Sequence, residues 1–205
     1  MNNMWKCSNC HHVDLSAKKP EHCPVCGAEA GKLLPHEVSG IKGTRTLQNL
    51  RTGFVGESQA HFRNMAFAMK AEQDGYPRVA RLFRAIAEAE AVHAFNHFRL
   101  LGAVADTQEN LESAFEKENL AGKRYPQFVV EANEEGNSGV ATVMGYSRDV
   151  EKGHARLYKK ALAHMMAEED VEYYVCQVCG FVSDGTLPDE CPICGAPKDR
   201  FRQVT

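Results

Sequence analysis

The sequence predicts a mainly α fold: an antiparallel four-helix bundle flanked by two small four-cysteine metal knuckles. Three observations carry that prediction. All eight cysteines fall into four Cys-x-x-Cys pairs, two before residue 27 and two after residue 175, with none left over. The Cys-free middle, from Thr44 to about Glu168, is rich in Ala, Leu, Glu, Arg and Met. It is broken only near Gly75-Tyr76-Pro77, from Gly102 to Gln108 and from Gly136 to Gly139, which divides it into four helices. That middle also repeats: a shift of 61 residues lays its second half on its first without a gap.

The elements follow in order. The segment from Trp5 to Pro35 has too few apolar residues to fold without a staple, and a metal held by Cys7, Cys10, Cys23 and Cys26 would supply it. Its first turn ends in His11, where a glycine would be usual. His36 is read as standing alone in a linker. On the first helix Leu47, Leu50, Phe54, Ala60, Ala68 and Ala71 form an apolar stripe at mostly helical spacing, and Glu57 falls on the same stripe. A carboxylate on that stripe points inward.

The repeat shows which other residues share its role. Glu57 falls on Glu118, Gly75 on Gly136, Ala80 on Ala141, Glu90 on Glu151 and His93 on His154. From Glu57 the chain rises roughly 27 Å to the Gly75 turn and returns about 22 Å to Glu90, so the two carboxylates meet at nearly one level. Glu and His three apart share a helix face. Two such halves packed antiparallel would supply four Glu and two His, the ligand set of a di-metal carboxylate bundle. Without cations four buried carboxylates would be strongly destabilising, and two divalent metals would neutralise them.

Other titratable residues read less strongly. Glu112 and Glu116 are neighbouring candidates on the third helix, but the repeat pairs Glu116 with Val55, which favours Glu118. His61 reads as a hydrogen-bonded core histidine and His97 as a surface or packing residue. The run Glu168-Glu169-Asp170-Val171-Glu172 reads as a solvated helix end or linker. It leads to the second knuckle, Cys176, Cys179, Cys191 and Cys194, in which two Cys-x-x-Cys-Gly turns can wrap one metal tetrahedrally.

A net charge of -3 with scattered basic residues offers no footprint for nucleic acid. No apolar run follows the first Met, so neither a signal peptide nor a membrane span is expected, and the location expected is cytoplasmic. In that reducing compartment paired cysteines at this spacing are metal thiolates in preference to disulfides.

The order of parts resembles the rubrerythrin family. The resemblance rests on Gly56-Glu57-Ser58, Ala89-Glu90-Ala91-Val92-His93-Ala94, Tyr125-Pro126, Glu151-Lys152-Gly153-His154-Ala155 with Leu157-Tyr158-Lys159-Lys160-Ala161, and the Cys-Pro-x-Cys-Gly ending. It covers residues from about 43 to 205. It implies a ferritin-like di-iron bundle (39–169) between rubredoxin-like domains (1–38 and 170–205). The implied ligands of two Fe in the bundle are Glu57, Glu90, His93, Glu118, Glu151 and His154, with one Fe, or alternatively Zn, in each four-cysteine site. The implied activity is a peroxidase that reduces hydrogen peroxide to water. Electrons would come from a reductase or rubredoxin and pass through the four-cysteine iron of a homodimer or larger oligomer. Three positions depart from the family pattern. Ala121 stands where a second third-helix Glu is usual, the stretch from Glu118 to Tyr125 is one residue short, and Asn64 replaces a common Tyr. The missing residue implies a lost π-bulge and a regular third helix past Ala121. A ferroxidase or oxidase using dioxygen is therefore the alternative activity, and a non-enzymatic metal-binding structural protein the third reading.

Overall fold

The computed structural model describes residues 4–16, 18–36, 40–165 and 171–205. The expected boundaries after residues 38 and 169, and Glu168, Glu169 and Asp170 of the acidic run, lie outside the described residues. The fold class is the expected one, with four long helices flanked by two small three-stranded knuckles. The chain divides into two units, Met1–Ala105 and Asp106–Thr205, each a helical hairpin with one knuckle.

In the first unit, β1 (Met4–Cys7) lies between β2 (Val13–Asp14) and β3 (Leu33–His36), all antiparallel. His36 pairs with Met4 at the end of this ladder, so it is a strand residue and not the isolated linker residue expected: one more rung extends β3 past the knuckle. The sheet encloses a miniature core of Cys7, Cys23 and fully buried Leu33, with Trp5 packed against it and donating from Nε1 to the Ser16 carbonyl at 3.2 Å. So small a core needs its metal.

α1 (Arg45–Gln73) begins at Thr44, whose hydroxyl accepts from the Leu47 N–H at 3.3 Å. α2 (Pro77–Leu100) begins with Pro77, whose fixed φ suits the first turn. Between them Gly75, at φ 81°, closes a Schellman turn in which Tyr76 N–H donates to Ala71 O at 2.8 Å and Gly75 N–H to Glu72 O at 3.0 Å.

The second unit repeats this turn 61 residues on. α3 (Thr107–Glu134) is capped by Asp106, which accepts from the Glu109 N–H at 2.9 Å. Its junction with α4 (Ser138–Ala163) turns on Gly136 at φ 76°, with Asn137 N–H to Ala132 O at 2.7 Å and Gly136 N–H to Asn133 O at 3.0 Å. The buried alanines are paired as well: Ala71 with Ala132, Ala80 with Ala141, Ala94 with Ala155. Small side chains at these levels let the two helices of each hairpin approach closely, which brings the carboxylates of facing helices within reach of each other. α3 runs unbroken through Ala121 and Pro126, the regular helix expected.

The second knuckle has β4 (Tyr173–Cys176) between β5 (Val182–Asp184) and β6 (Phe201–Val204). Cys176, Cys191 and Ala196 form its core under Phe181 and Phe201, whose rings meet edge to face at 6.5 Å. No described helix is long and apolar enough to cross a membrane.

Candidate metal centres

Four groups of side chains bring donor atoms within 4.8 Å of one another: Cys7, Cys10, Cys23 and Cys26; Cys176, Cys179, Cys191 and Cys194; Glu57, Glu90 and His93; Glu118, Glu151 and His154. These are the fourteen residues singled out in the sequence. Facing helices assemble each Glu/His group, and paired knuckle turns assemble each four-cysteine group.

In each knuckle two turns of identical design face one another. Cys7 O accepts from His11 N–H and Cys23 O from Gly27 N–H, each at 2.9 Å. Cys176 O likewise accepts from Gly180 N–H and Cys191 O from Gly195 N–H at 2.9 Å. All four closing residues have positive φ, 61° at His11 and 71° to 82° at the three glycines. His11 is the sole non-glycine with positive φ among the described residues. The sulfurs are unbridged. They stand 3.8 Å (Cys7 to Cys26) and 3.6 Å (Cys10 to Cys23) apart in one knuckle, and 3.8 Å (Cys176 to Cys194) and 3.6 Å (Cys179 to Cys191) in the other. A tetrahedron with metal–sulfur bonds of about 2.3 Å has edges of about 3.8 Å, so both sets fit one tetrahedral metal. The Asn9 amide holds the Cys26 thiol down to about 6, with the Ala28 backbone N–H adding to it. Burial pushes the Cys179 thiol up.

Each helical hairpin supplies two carboxylates and one imidazole. In the first unit Glu57 comes from α1, Glu90 and His93 from α2, with His93 Nδ1 3.1 Å from Glu90 Oε2. In the second, Glu118 comes from α3, Glu151 and His154 from α4, and His154 Nδ1 lies 3.8 Å from Glu118 Oε2 and 3.7 Å from Glu151 Oε2. Glu118 is half-buried and faces this group, whereas Glu112 and Glu116 are exposed. Burial, and then the neighbouring Glu151 carboxylate, raise the Glu118 carboxyl to about 7. Without a cation this pair resists ionising fully and retains a proton that separate carboxylates would lose. Hard oxygen donors with imidazole suit iron and similar divalent cations, and thiolates suit iron or zinc.

Several contacts were not legible beforehand. His154 Nε2 lies 3.2 Å from the carbonyl oxygen of Gly180, the residue bonded to Cys179 of the knuckle in the same unit. A Cβ on Gly180 would stand 3.9 Å from Val150 Cγ1, and Lys160 pairs with Asp184, so the knuckle rests on α4 at three points. Nothing in the motif Cys-x-x-Cys-Gly announces a carbonyl aimed at a histidine 26 residues away. His61 Nδ1 bonds with the Ala87 carbonyl at 2.9 Å, as a core histidine should. His97 packs its ring where a Cβ on Gly53 would lie at 3.3 Å, and its Nδ1 is buried without a partner among the described residues.

The family model "Rubrerythrin" matches residues 48–109 and 109–183, and "Rubrerythrin, rubredoxin-like domain" matches 174–202. The chain is similar to rubrerythrin-2 of Clostridium acetobutylicum, 33% identical over 79% of this chain and 98% of that protein. It is similar to nigerythrin of Nitratidesulfovibrio vulgaris, 32% identical over 76% of this chain and 85% of that one. A solved structure of partially reduced nigerythrin covers 82% of this chain and 92% of its own, at 32% identity and a TM-score of 0.48. With residues 48 to 202 matched by its family models, this chain belongs to the rubrerythrin family, which supports a di-iron protein of the defence against oxidative stress.

Proposed function

We propose that the chain is a non-haem di-iron peroxidase that reduces hydrogen peroxide to water, each turnover consuming one peroxide, two electrons and two protons and releasing two waters. Glu57, Glu90, His93, Glu118, Glu151 and His154 would hold two irons. Cys7, Cys10, Cys23 and Cys26 would hold one further iron, and Cys176, Cys179, Cys191 and Cys194 another, with zinc the alternative in either knuckle. When bound, the irons of the helical site supply Lewis acidity and the electron pair that O–O cleavage requires.

The protein's own residues contribute charge, orientation and a route. Four carboxylates balance the charge of two divalent cations, so the site carries no large excess charge into a half-buried setting. The observation that carries the proposal is the contact between His154 Nε2 and Gly180 O at 3.2 Å. A proton on Nε2 donated to that carbonyl leaves the Nδ1 lone pair facing Glu118 and Glu151, which fixes the tautomer a metal needs. The same bond joins a helical ligand to Gly180, the residue that follows Cys179, giving the second knuckle a short path for electrons. The donor to that knuckle would be a rubredoxin or a reductase. Cytoplasmic location, a homodimer or larger assembly, and the division into 1–38, 39–169 and 170–205 belong to the same proposal.

The test is peroxide consumption with a reductase donor by the iron-loaded chain and by Cys176→Ser. Loss of steady turnover in the variant is expected; unchanged turnover would move the relay elsewhere. Ala121 and the shortened stretch from Glu118 to Tyr125 speak for dioxygen, and the relatives do not favour that reading. Faster turnover with dioxygen than with peroxide would overturn the peroxidase.

A further inference from the structure

The two knuckles share a backbone but not an environment. Asn9, the residue before Cys10, donates from its amide Nδ2 to Cys26 Sγ at 3.5 Å. The corresponding residue in the other knuckle, before Cys179, is Val178, whose side chain has no hydrogen to donate and is itself exposed. Solvent access differs in the same pair of positions. Cys26 is exposed, whereas its counterpart Cys194 is only partly so. Charge differs as well. From residue 4 to 36 four lysines (Lys6, Lys18, Lys19, Lys32) accompany three carboxylates, together with four histidines. From 172 to 205 five carboxylates (Glu172, Asp184, Asp189, Glu190, Asp199) accompany three basic residues.

All three differences act in one direction on a four-thiolate iron. Reduction adds one electron, takes ferric iron to ferrous and takes up no proton, so the site becomes more negative by one charge, much of it on sulfur. A hydrogen bond to a sulfur, water near it and surrounding positive charge each stabilise the more negative state. The amide of Asn9 does this at the closest range, and the net charges of the two segments do it at longer range.

We propose that the N-terminal four-cysteine site is the more oxidising of the two, raised by the Asn9 amide on Cys26, and that it serves as an electron store that fills before the C-terminal site. This rests on the reading that both knuckles hold iron. The C-terminal iron, under Val178 and among carboxylates, is the stronger reductant, suited to passing its electron on at once. The N-terminal iron is suited to keeping one.

The experiment is an anaerobic redox titration of the full chain with iron in both knuckles, followed by the thiolate-to-iron absorption. A Cys191→Ser variant, which lacks the second iron, assigns the two components. The N-terminal component should reduce first. Asn9→Val should lower its reduced-to-oxidised ratio at a fixed potential about tenfold, a shift of about 59 mV for one electron, while the C-terminal component stays in place. Val178→Asn should move the C-terminal component upward and needs no change in the N-terminal fold. Coincident components, reduction of the C-terminal iron first, or no shift in either variant would overturn the proposal. Metal analysis beforehand keeps the two readings apart. Zinc in the N-terminal site of the native protein would refute its reading as iron, and the order of potentials would still be measured after reconstitution with iron.

Discussion

Replacing His11 with glycine should strengthen metal retention by the N-terminal knuckle. The four turns that present the cysteines close with the same hydrogen bond, and three of them end in glycine at φ 71° to 82°. His11 does the same work at φ 61° with a side chain. Holding an L-residue in the left-handed region costs about 1–2 kcal/mol. Glycine would remove that cost, but its greater freedom in the unfolded chain takes back about 0.4–1 kcal/mol. The imidazole is exposed and makes no hydrogen bond or ion pair with another described residue, so little else is lost. The net gain is about 0.5–1 kcal/mol, or roughly two- to fivefold in an equilibrium constant. Because the knuckle folds around its metal, that gain emerges as tighter metal binding. The assay is equilibrium competition against a chelator, followed by the thiolate-to-iron absorption in a Cys191→Ser background, where the N-terminal site alone supplies that band. Gly180→Ala, in a Cys7→Ser background that keeps Cys191, is the converse control at the C-terminal site. Its new Cβ would meet Val150 Cγ1 at 3.9 Å, an ordinary contact, so the backbone alone is tested, and retention should weaken. His11→Gly releasing its metal more readily than the parent would refute the reasoning and give the imidazole a role of its own.

Three further outcomes are expected. Glu118→Gln should lower the metal content of the helical site by at least one ion per chain while Glu116→Gln leaves it unchanged, as measured by elemental analysis; the reverse pattern would move the ligand to Glu116. Chelation should lower the melting temperature. In the chelated chain Glu118, raised to about 7 from an ordinary 4.5, should make stability greatest below the ordinary value and progressively smaller as pH rises to about 7, because the folded state binds the proton more tightly; a melting temperature rising across that window would contradict it. Asp184→Asn should cost no more than about 1 kcal/mol, since its bridge to Lys160 is largely exposed, and the difference should shrink in high salt. Lys160 holds the Asp184 carboxyl below its usual range, so that contribution is present above the ordinary pKa of 3.8 and disappears as pH falls through the lower folded value.

Much of this protein was settled by short-range pattern. Helix limits follow from capping residues, from Gly75 and Gly136 and from Pro77, all of which act within a turn of themselves, so Thr44, the 61-residue repeat and the breaks between helices were legible. The Cys-x-x-Cys spacing is equally local, because the turn that presents two sulfurs is closed by a bond within four residues. Repetition then selected Glu118 over Glu116 and matched Glu90 with Glu151 and His93 with His154. What the sequence could not specify were contacts made by backbone groups or across many residues. The Gly180 carbonyl on His154, the Lys160 bridge to Asp184 and the Asn9 amide on Cys26 depend on how a knuckle rests on a helix or folds on itself. Every residue carries a carbonyl, so none is marked in advance, and an amide reads as a turn residue until its partner sulfur is in reach. The kinds of donor the chain can offer a metal were thus written in residue type and spacing. Which histidine touches a knuckle, and which sulfur receives a hydrogen bond, was decided only when distant segments met.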